Sequence, residues 1–425
     1  MPRASHICRL GATVQVLMLL GGATMALADD TVDIPLDLQA IPTVDDDDTW
    51  ADVTQKRPLR WELATGERRE TMAGPLDTLV RDSKAVGFAS LALNADFVLA
   101  PGLSLQGRAI LYTEGGATDL FLQRIKLEYA PASTPIRLSL GKDYLAWSFT
   151  DLAHVMDPSP LETAQIDATD TGDDYAHPYA MVQYASGPHQ LSFAAMSEGH
   201  KFDDLSEDGH LYALRYETQI GSSNLSVQAL HRDNSETEVG VGINTTLGSA
   251  VVSFEASVAS RQRLPFASPR AGGGVLEQAS EDKATFQAVA AGRFPLSTRW
   301  QAEAAYLYNG HGYDDAQWDT FRSVEDAVLT SLRGGNFQYA GFLGDAQTAH
   351  ADQYLRRNYV ALALSSLEDL GKWSVTVGGL HGLDDGSTFG FATASRPLGE
   401  IGRLDMSISG GFGGFDTEFA RRPQE

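Results

Sequence analysis

The chain of 425 residues contains one cysteine, Cys8. It can form no internal disulfide, so packing and hydrogen bonding must hold the fold. It is also short of positive charge: 32 Lys+Arg stand against 56 Asp+Glu, a formal net charge of −24. A nucleic-acid binder needs a basic footprint, and that class is excluded. Beyond the N-terminus no run approaches the ~18 apolar residues of a membrane-spanning helix, so a helical membrane protein is excluded too. Catalytic signatures are missing. There is no G-x-S-x-G and no H-E-x-x-H, and His177, His189, His200, His210, His231, His311, His350 and His381 are scattered singly. No catalytic residue, metal site or cofactor is expected. Glycine is plentiful at 41 residues, and aromatics make up 9%. That composition argues against wholesale disorder.

Residues 1–28 read as a secretory signal. Arg3 and Arg9 precede an apolar stretch through Val14, Val16, Leu17, Met18, Leu19 and Leu20, and Ala26-Leu27-Ala28 forms a small-x-small cleavage site. The stretch is short for an uncleaved anchor. Without the signal the balance is 30 basic to 56 acidic residues, −26, and no cysteine remains. Residues 29–56, with Pro35, Pro42 and the run Asp45–Asp48, read as an acidic irregular segment. The run lacks the glycine and distal glutamate of a calcium loop and reads as solvated.

From about residue 86, windows of roughly ten residues alternate apolar with small or polar side chains, the period of strands. Leu103, Leu105, Ala109 and Leu111 oppose Ser104, Gln106, Arg108 and Tyr112. Phe121, Ile125, Leu127 and Tyr129 oppose Arg124, Lys126 and Glu128. Trp300, Ala302, Ala304 and Tyr306 oppose Arg299, Gln301 and Glu303, and Leu404, Met406 and Ile408 oppose Arg403 and Asp405. Repeated segments with one apolar and one polar face are the signature of transmembrane strands. The sequence therefore predicts an all-β fold, a transmembrane antiparallel β-barrel of about 16–18 strands over residues 57–425.

The connections support this. Pro101-Gly102, Ser186-Gly187-Pro188, Gly221-Ser222-Ser223, Gly248-Ser249 and Pro295-Leu296-Ser297 carry turn chemistry. Longer polar loops lie between them at 149–175, 199–208, 261–282 and 310–352. Short periplasmic turns and long extracellular loops are what such a barrel shows. Tyr129, Phe294, Trp300 and Trp373 beside the turns, and Tyr112, Trp147, Phe149, Tyr306 and Tyr308 beside the loops, read as two interfacial girdles. The alternative is a set of core aromatics in a soluble β protein. About sixteen strands fit between 86 and 411, with another at 57–66. Parity then leaves the strand at 402–411 running outward, with Phe412, Phe415 and Phe419 as candidates for a bent final strand.

The stretch 120–160, LFLQRIKLEYAPASTPIRLSLGKDYLAWSFTDLAHVMDPSP, resembles the strand–turn–strand–loop of Gram-negative porin-like outer-membrane proteins, including alginate-export-like barrels. The matching residues are Gly141, Lys142, Trp147, Asp151, Asp157 and Pro158; Ser148 stands where a glycine is usual. Tyr308, Asn309, Gly310, His311, Gly312 and Tyr313 form a second match. Gly413, Gly414, Thr417, Glu418 and Phe419 form a third, which in such proteins precedes a final strand. The resemblance implies a cell outer membrane location and contact with outer-membrane lipid and lipopolysaccharide. Porins of this size are often homotrimers, although no residue here marks an interface.

A barrel this wide encloses water, and charged lumen side chains set selectivity. The alternation makes Arg108, Arg124, Lys126, Glu128, Arg137, Arg215, Glu217, Arg299, Glu303, Arg403 and Asp405 the candidate pore-lining residues. The first cations form a basic ladder, which predicts a passive channel for small polar or anionic solutes. The competing expectation is that these charges pair off and simply brace the wall. Ser323–Leu332 is expected to form a short helix in loop 310–352, either constricting the pore or capping it. Two other functions remain open: a structural or adhesion barrel with a plugged lumen, and a lipid-acting barrel enzyme.

Overall fold

The computed structural model describes residues 17–18, 59–69, 85–114, 116–150, 155–158, 176–197, 209–233, 236–277, 283–352, 354–367, 373–398, 403–414 and 416–420. The expected signal, apart from Leu17–Met18, and the acidic segment 29–56 lie outside the described residues. So does Asp151.

The chain forms one 18-stranded antiparallel sheet, of which one member is the two-residue bridge Leu17–Met18. The long strands begin with β1 (Leu59–Arg69), β2 (Ala85–Ala100), β3 (Leu103–Glu114), β4 (Ala117–Tyr129), β5 (Ile136–Asp143) and β6 (His177–Ser186). They continue with β7 (His189–Ser197), β8 (His210–Ile220), β9 (Ser223–Arg232), β10 (Thr237–Leu247) and β11 (Ala250–Ala259). A separate hairpin follows, β12 (Phe266–Arg270) and β13 (Gly273–Glu277). The sheet resumes with β14 (Thr285–Pro295), β15 (Trp300–Asn309), β16 (Asn358–Ser366), β17 (Ser374–Gly382), β18 (Thr388–Pro397) and β19 (Arg403–Phe412). Each long strand pairs with the next in sequence, β11 pairing directly with β14. The strand near 57–66 is β1, antiparallel to β2, and it runs toward the long-loop rim as parity required.

The ring is not closed by a ladder between β1 and β19. Both run toward the long-loop rim, so a direct ladder would be parallel. Leu17–Met18 lies near both, paired antiparallel with Asp405 and Leu404 of β19 and with no ladder to β1, so no ladder closes the sheet among the described residues.

The turns follow their local chemistry. Gly102, Gly187, Gly221 and Gly248 all have positive φ, which glycine adopts without steric cost. The expected alternation of loop length is not strict, however. The connections at 115–116, 233–236 and 383–387 are short and lie on the long-loop rim. No final strand follows β19 among the described residues. Residues 416–420 turn back inward instead, with Glu418 and Phe419 buried.

A β-bulge corrects one face assignment. In the β3–β4 ladder the register slips after Arg108↔Arg124, so that Ala109 pairs with Leu122 and Ile110 with Phe121. The extra residue, Gln123, switches the outward positions. Phe121 therefore shares the inner face with Ile110, while Leu120 and Leu122 point outward at 73% and 39% exposure. A one-residue slip moves every later side chain to the other face.

Gly141 sits at φ +152°, and an added Cβ would lie 1.9 Å from the Ile125 carbonyl oxygen. Gly141→Ala is expected to cost about 1–3 kcal/mol from the backbone conformation alone, and more if β4 and β5 separate. A lowered unfolding temperature and loss of heat-modifiable migration on a gel would register it. An unchanged melt would refute the tight β4–β5 approach.

Candidate functional site: the inner face and its inward segments

The burial of the wall is inverted relative to a soluble protein. In β8, Tyr212, Leu214 and Tyr216 are exposed, whereas Arg215 and Glu217 on the opposite face are buried. In β9 to β11, Val227, Val239, Val241, Phe254 and Val258 are exposed while Ser226, Gln228, Glu238, Ser253, Glu255 and Ser257 are buried. The same holds in β5 to β7, where Leu138, Leu140, Val182 and Phe193 are exposed and Ser139 and Ser192 buried. Water would reject so continuous an apolar exterior. Lipid would accept it, provided every backbone group is paired within the sheet.

The fold is a porin-like transmembrane β-barrel.

Distant structural likenesses accompany this reading. A Rhodopseudomonas blastica porin triple mutant matches at 10% identity and TM-score 0.38, covering 83% of this chain and 100% of that one. Another mutant of Rh. blastica porin matches at 9% identity and TM-score 0.41, covering 83% of this chain and 99% of that one. A loop-deleted OmpT, an outer membrane protein of Vibrio cholerae, matches at 9% and 0.37, covering 84% and 100%. No family model matches the chain, and no curated protein matches it. The barrel assignment rests on the inverted wall and not on these likenesses.

The inner face of this barrel is largely covered on one side. After β5 the chain turns inward through Leu145, Trp147 and Phe149, all three buried, which corrects the interfacial place expected for Trp147 and Phe149. Leu145 and Trp147 pack against Tyr179, Ala194, Met196, Leu211, Ala213 and Leu230 on the inner face of β6–β9. Val155 reaches the opposite side, among Val289, Ala305, Leu307, Tyr359 and Phe419. Tyr112 is likewise turned inward and stacks on Phe88 at 6.1 Å.

The inward segment is pinned by carboxylates. Asp157 accepts the Trp147 N–H, and the Ser148 N–H at 2.5 Å. The Phe149 N–H donates to Glu255 of β11. Arg215 lies over the Trp147 and Phe149 rings at 5.8 and 5.3 Å and pairs with Glu217 at 3.0 Å. Gly240 and Gly242 supply the groove: a Cβ at the first would meet Met156 Sδ at 2.4 Å, and at the second the Phe149 ring at 3.1 Å. The VGVG run of β10 thus lets this segment lie against the wall.

The candidate pore residues divide into groups. Lys126 pairs with Glu128 at 3.5 Å and with Asp143 at 3.8 Å, and Arg137 pairs with Glu128 at 3.5 Å. Much of the basic ladder is therefore neutralised within the wall. Glu303 pairs with Arg293 at 3.6 Å, a partner the sequence had not singled out. Arg299 lies in the exposed turn before β15 and not on the strand, a correction to its expected place. Arg403 is cross-strand from Pro397, and Asp405 from Ser395, on β19. Arg108 donates to Asn94 at 3.1 Å. Arg124 is exposed on the same face, with no ion pair among the described residues.

Loop 310–352 folds with the hairpin into a helical unit at the long-loop rim, called the cap below. It contains two helices, α1 (Asp315–Arg333) and α2 (Ala340–Asp352), longer than the single helix expected at Ser323–Leu332. Asp314 starts α1 through a reciprocal capping box: Asp314 accepts the Gln317 N–H at 2.9 Å, and Gln317 accepts the Asp314 N–H at 3.0 Å. Trp318, Phe321, Val324, Val328 and Leu329 then form a buried stripe. It packs with Phe342 and Leu343 of α2 and Phe266, Ala267 and Leu276 of the hairpin. Loops 261–282 and 310–352 thus share one core. Trp318 ties it to the inward tail by donating to the Asp416 carbonyl at 3.0 Å. Within that tail Glu418 accepts the Leu355 N–H at 3.0 Å and the Tyr359 hydroxyl at 2.6 Å.

His311 sits where the cap meets the wall. Its Nδ1 accepts the Arg263 N–H at 3.1 Å. Burial, and then the Arg263 guanidinium, push its pKa down to about 3. Arg263 is itself held protonated, its desolvation outweighed by Glu238 and Glu236. A histidine with a depressed folded pKa binds fewer protons folded than unfolded. Its contribution is complete above the unfolded value of ~6.5 and is lost as pH falls toward 3. The cap should weaken by up to about 1.4 kcal/mol per pH unit across that window. Thermal melts at pH 7.5 and 5 should show it, and His311→Asn should flatten the dependence. An equal acid loss in the variant would refute the assignment.

Proposed function

We propose that the protein is an outer-membrane porin-like channel for passive diffusion of small polar or anionic solutes. The observation that carries this is the uncovered arc of the inner face. On β3, β17 and β18 most residues of both faces are only half-buried. On β8–β11 the inner residues are sealed beneath the inward segment. The path for water we infer runs along β3, β4, β17 and β18, past Arg108 and Arg124, while Phe88, Ala92 and Ile110 stay buried nearer the loop rim. Arg215 and Glu217 lie on the sealed side and brace it. Lys126, Glu128, Arg137 and Glu303, each in an ion pair, tune the path less than their number suggests.

Conductance in planar bilayers tests the reading. Open channels with reversal potentials shifted toward anions are expected, and Arg124→Glu should move the selectivity toward cations. Absence of any conductance from correctly folded protein would overturn it. The filled half of the lumen favours one second reading, a structural barrel whose plug stays in place; a silent bilayer is the outcome that would select it.

A further inference from the structure

We propose that the inner face of β16–β18 holds a binding site for a neutral pyranose sugar. This rests on the reading above that the arc at β17 and β18 is open to water, and it adds a class of solute recognised there. The three strands carry no Asp, Glu, Lys or Arg at any inner position. The ladders set their side chains out in rows. Ser365, Thr376 and Thr393 form one row, continued by Gln301 of β15 and Ser407 of β19. The next row toward the loop rim is Ala363, Gly378 and Phe391, continued by Glu303 and Ser409. The next toward the turns is Ser374 and Ser395, continued by Asp405. Neighbouring rows lie ~7 Å apart along the strand.

Phe391 is the platform. A Cβ built on Gly378 would lie 2.6 Å from Phe391 Cζ, so the ring reaches across the neighbouring strand and lies down on the sheet instead of standing into the lumen. Glycine at 378 is what lets it come so close. Phe391 is half-buried, which leaves part of the ring within reach of the lumen. A pyranose has the matching shape, with C–H groups on its faces and hydroxyls round its rim. Its C–H face meets the electron-rich face of the phenyl ring. One row away, the half-buried Ser365, Thr376 and Thr393 supply hydroxyls. A hydroxyl both donates and accepts, so Thr376, which donates to Ser365 at 3.2 Å, keeps acceptor capacity for a sugar hydroxyl.

The flanks limit the choice of solute. Toward the loop rim Ala361, Leu380 and Phe389 pack in the cluster of Phe419 and Val155, which closes that end of the site. On the β15 side Glu303 is already paired with Arg293 at 3.6 Å. On the β19 side the row nearest the turns reaches Asp405. The three strands themselves thus offer an ionised solute no counter-charge, and taking a charge out of water against them costs free energy. A solute with many hydroxyls and no charge suits them better.

The test uses the full-length protein in detergent and follows binding by saturation-transfer NMR, titrating methyl glucoside, mannitol and glucuronate. Methyl glucoside is expected to bind about tenfold more tightly than mannitol, which has the hydroxyls but no ring face. Phe391→Leu keeps the apolar bulk and loses the flat face, and it should weaken methyl glucoside about three- to tenfold without moving mannitol or glucuronate. Gly378→Ala should act likewise by lifting the ring, with every hydroxyl still in place. Thr393→Val should weaken methyl glucoside by about as much through a lost hydrogen bond, and it serves if the other two variants fail to fold. Equal affinity for methyl glucoside and mannitol overturns the site, and so does methyl glucoside binding that ignores these substitutions in folded barrels. Binding in detergent needs no conduction. Methyl glucoside bound to a barrel that is silent in bilayers would overturn the channel and leave the site standing, whereas conduction without saturable binding would overturn the site alone.

Discussion

Asp157→Ala is expected to raise single-channel conductance several-fold and to shift the distribution of open levels upward. Asp157 is 5% exposed and accepts two backbone N–H groups, of Trp147 and Ser148, from the start of the inward segment. Each buried donor left without a partner costs about 1–3 kcal/mol. The sum exceeds the ~1.4 kcal/mol that changes an equilibrium tenfold. The released segment would uncover the inner face of β6–β9, where Leu145 and Trp147 now lie. The wall itself loses no ladder hydrogen bond, so the barrel should still migrate as folded. Glu255→Ala should act in the same direction through the Phe149 N–H. A second readout is independent of current. The only native cysteine is Cys8, so Ser148→Cys provides a thiol in the segment, and its labelling should accelerate in the Asp157→Ala background. Unchanged conductance together with unchanged labelling would show that the carboxylate does not hold the segment in place.

Phe321→Ala should unfold the cap while leaving the barrel intact. Phe321 is fully buried and lies 5.6 Å from Trp318, 5.5 Å from Tyr313 and 5.7 Å from Phe342. Truncating such a ring costs about 3–5 kcal/mol. The cap holds a core of its own, in which α1 packs on the hairpin β12–β13 and on α2. A loss of that size is large for so small a unit. Limited proteolysis should cut within 315–352 in the variant and spare it in the wild type, while the β-rich circular dichroism and heat-modifiable migration persist. If the cap resists proteolysis, the shared core is not what stabilises it. If the barrel is lost as well, cap and wall fold as one cooperative unit. The same variant separates a passive cap from a constriction, because only a constriction would change conductance when it melts.

The wall was legible in advance because its signals are local. Val239 and Val241 alternate with Glu238 and Gly240 within five residues, and Gly248-Ser249 announces the turn after β10. Alternation reports which residues share a face, and turn residues report where a strand ends, without any distant contact. Strand number and direction followed from those two signals. The errors have equally physical causes. Phe121 was placed on the wrong face because a bulge leaves no mark in the pattern beyond one extra residue. Trp147 and Phe149 were read as interfacial because an aromatic beside a loop looks the same whether it turns to lipid or into the lumen. Only the unusual apolar spacing of Leu145, Trp147 and Phe149 within a loop hinted at an inward path. Arg299 appeared to extend the polar face of β15, and a turn took it instead.

The sequence by itself determined an exported-looking, cysteine-poor, acidic chain whose strands alternate between an apolar and a polar face. That pattern is written in neighbouring residues, so it needed no third dimension. The tertiary structure alone decided what fills the inner face. Phe149 meets Glu255 across 106 positions of chain, two distant loops build one core, and the acceptors for the tail's Glu418 N–H and for Leu355 come from segments far apart in sequence. Contacts of that range arise only when the sheet curves round and brings its ends together. The inward turn of Phe121 belongs to both levels: alternation marks its strand, and the register slip after Arg108↔Arg124 sets its face.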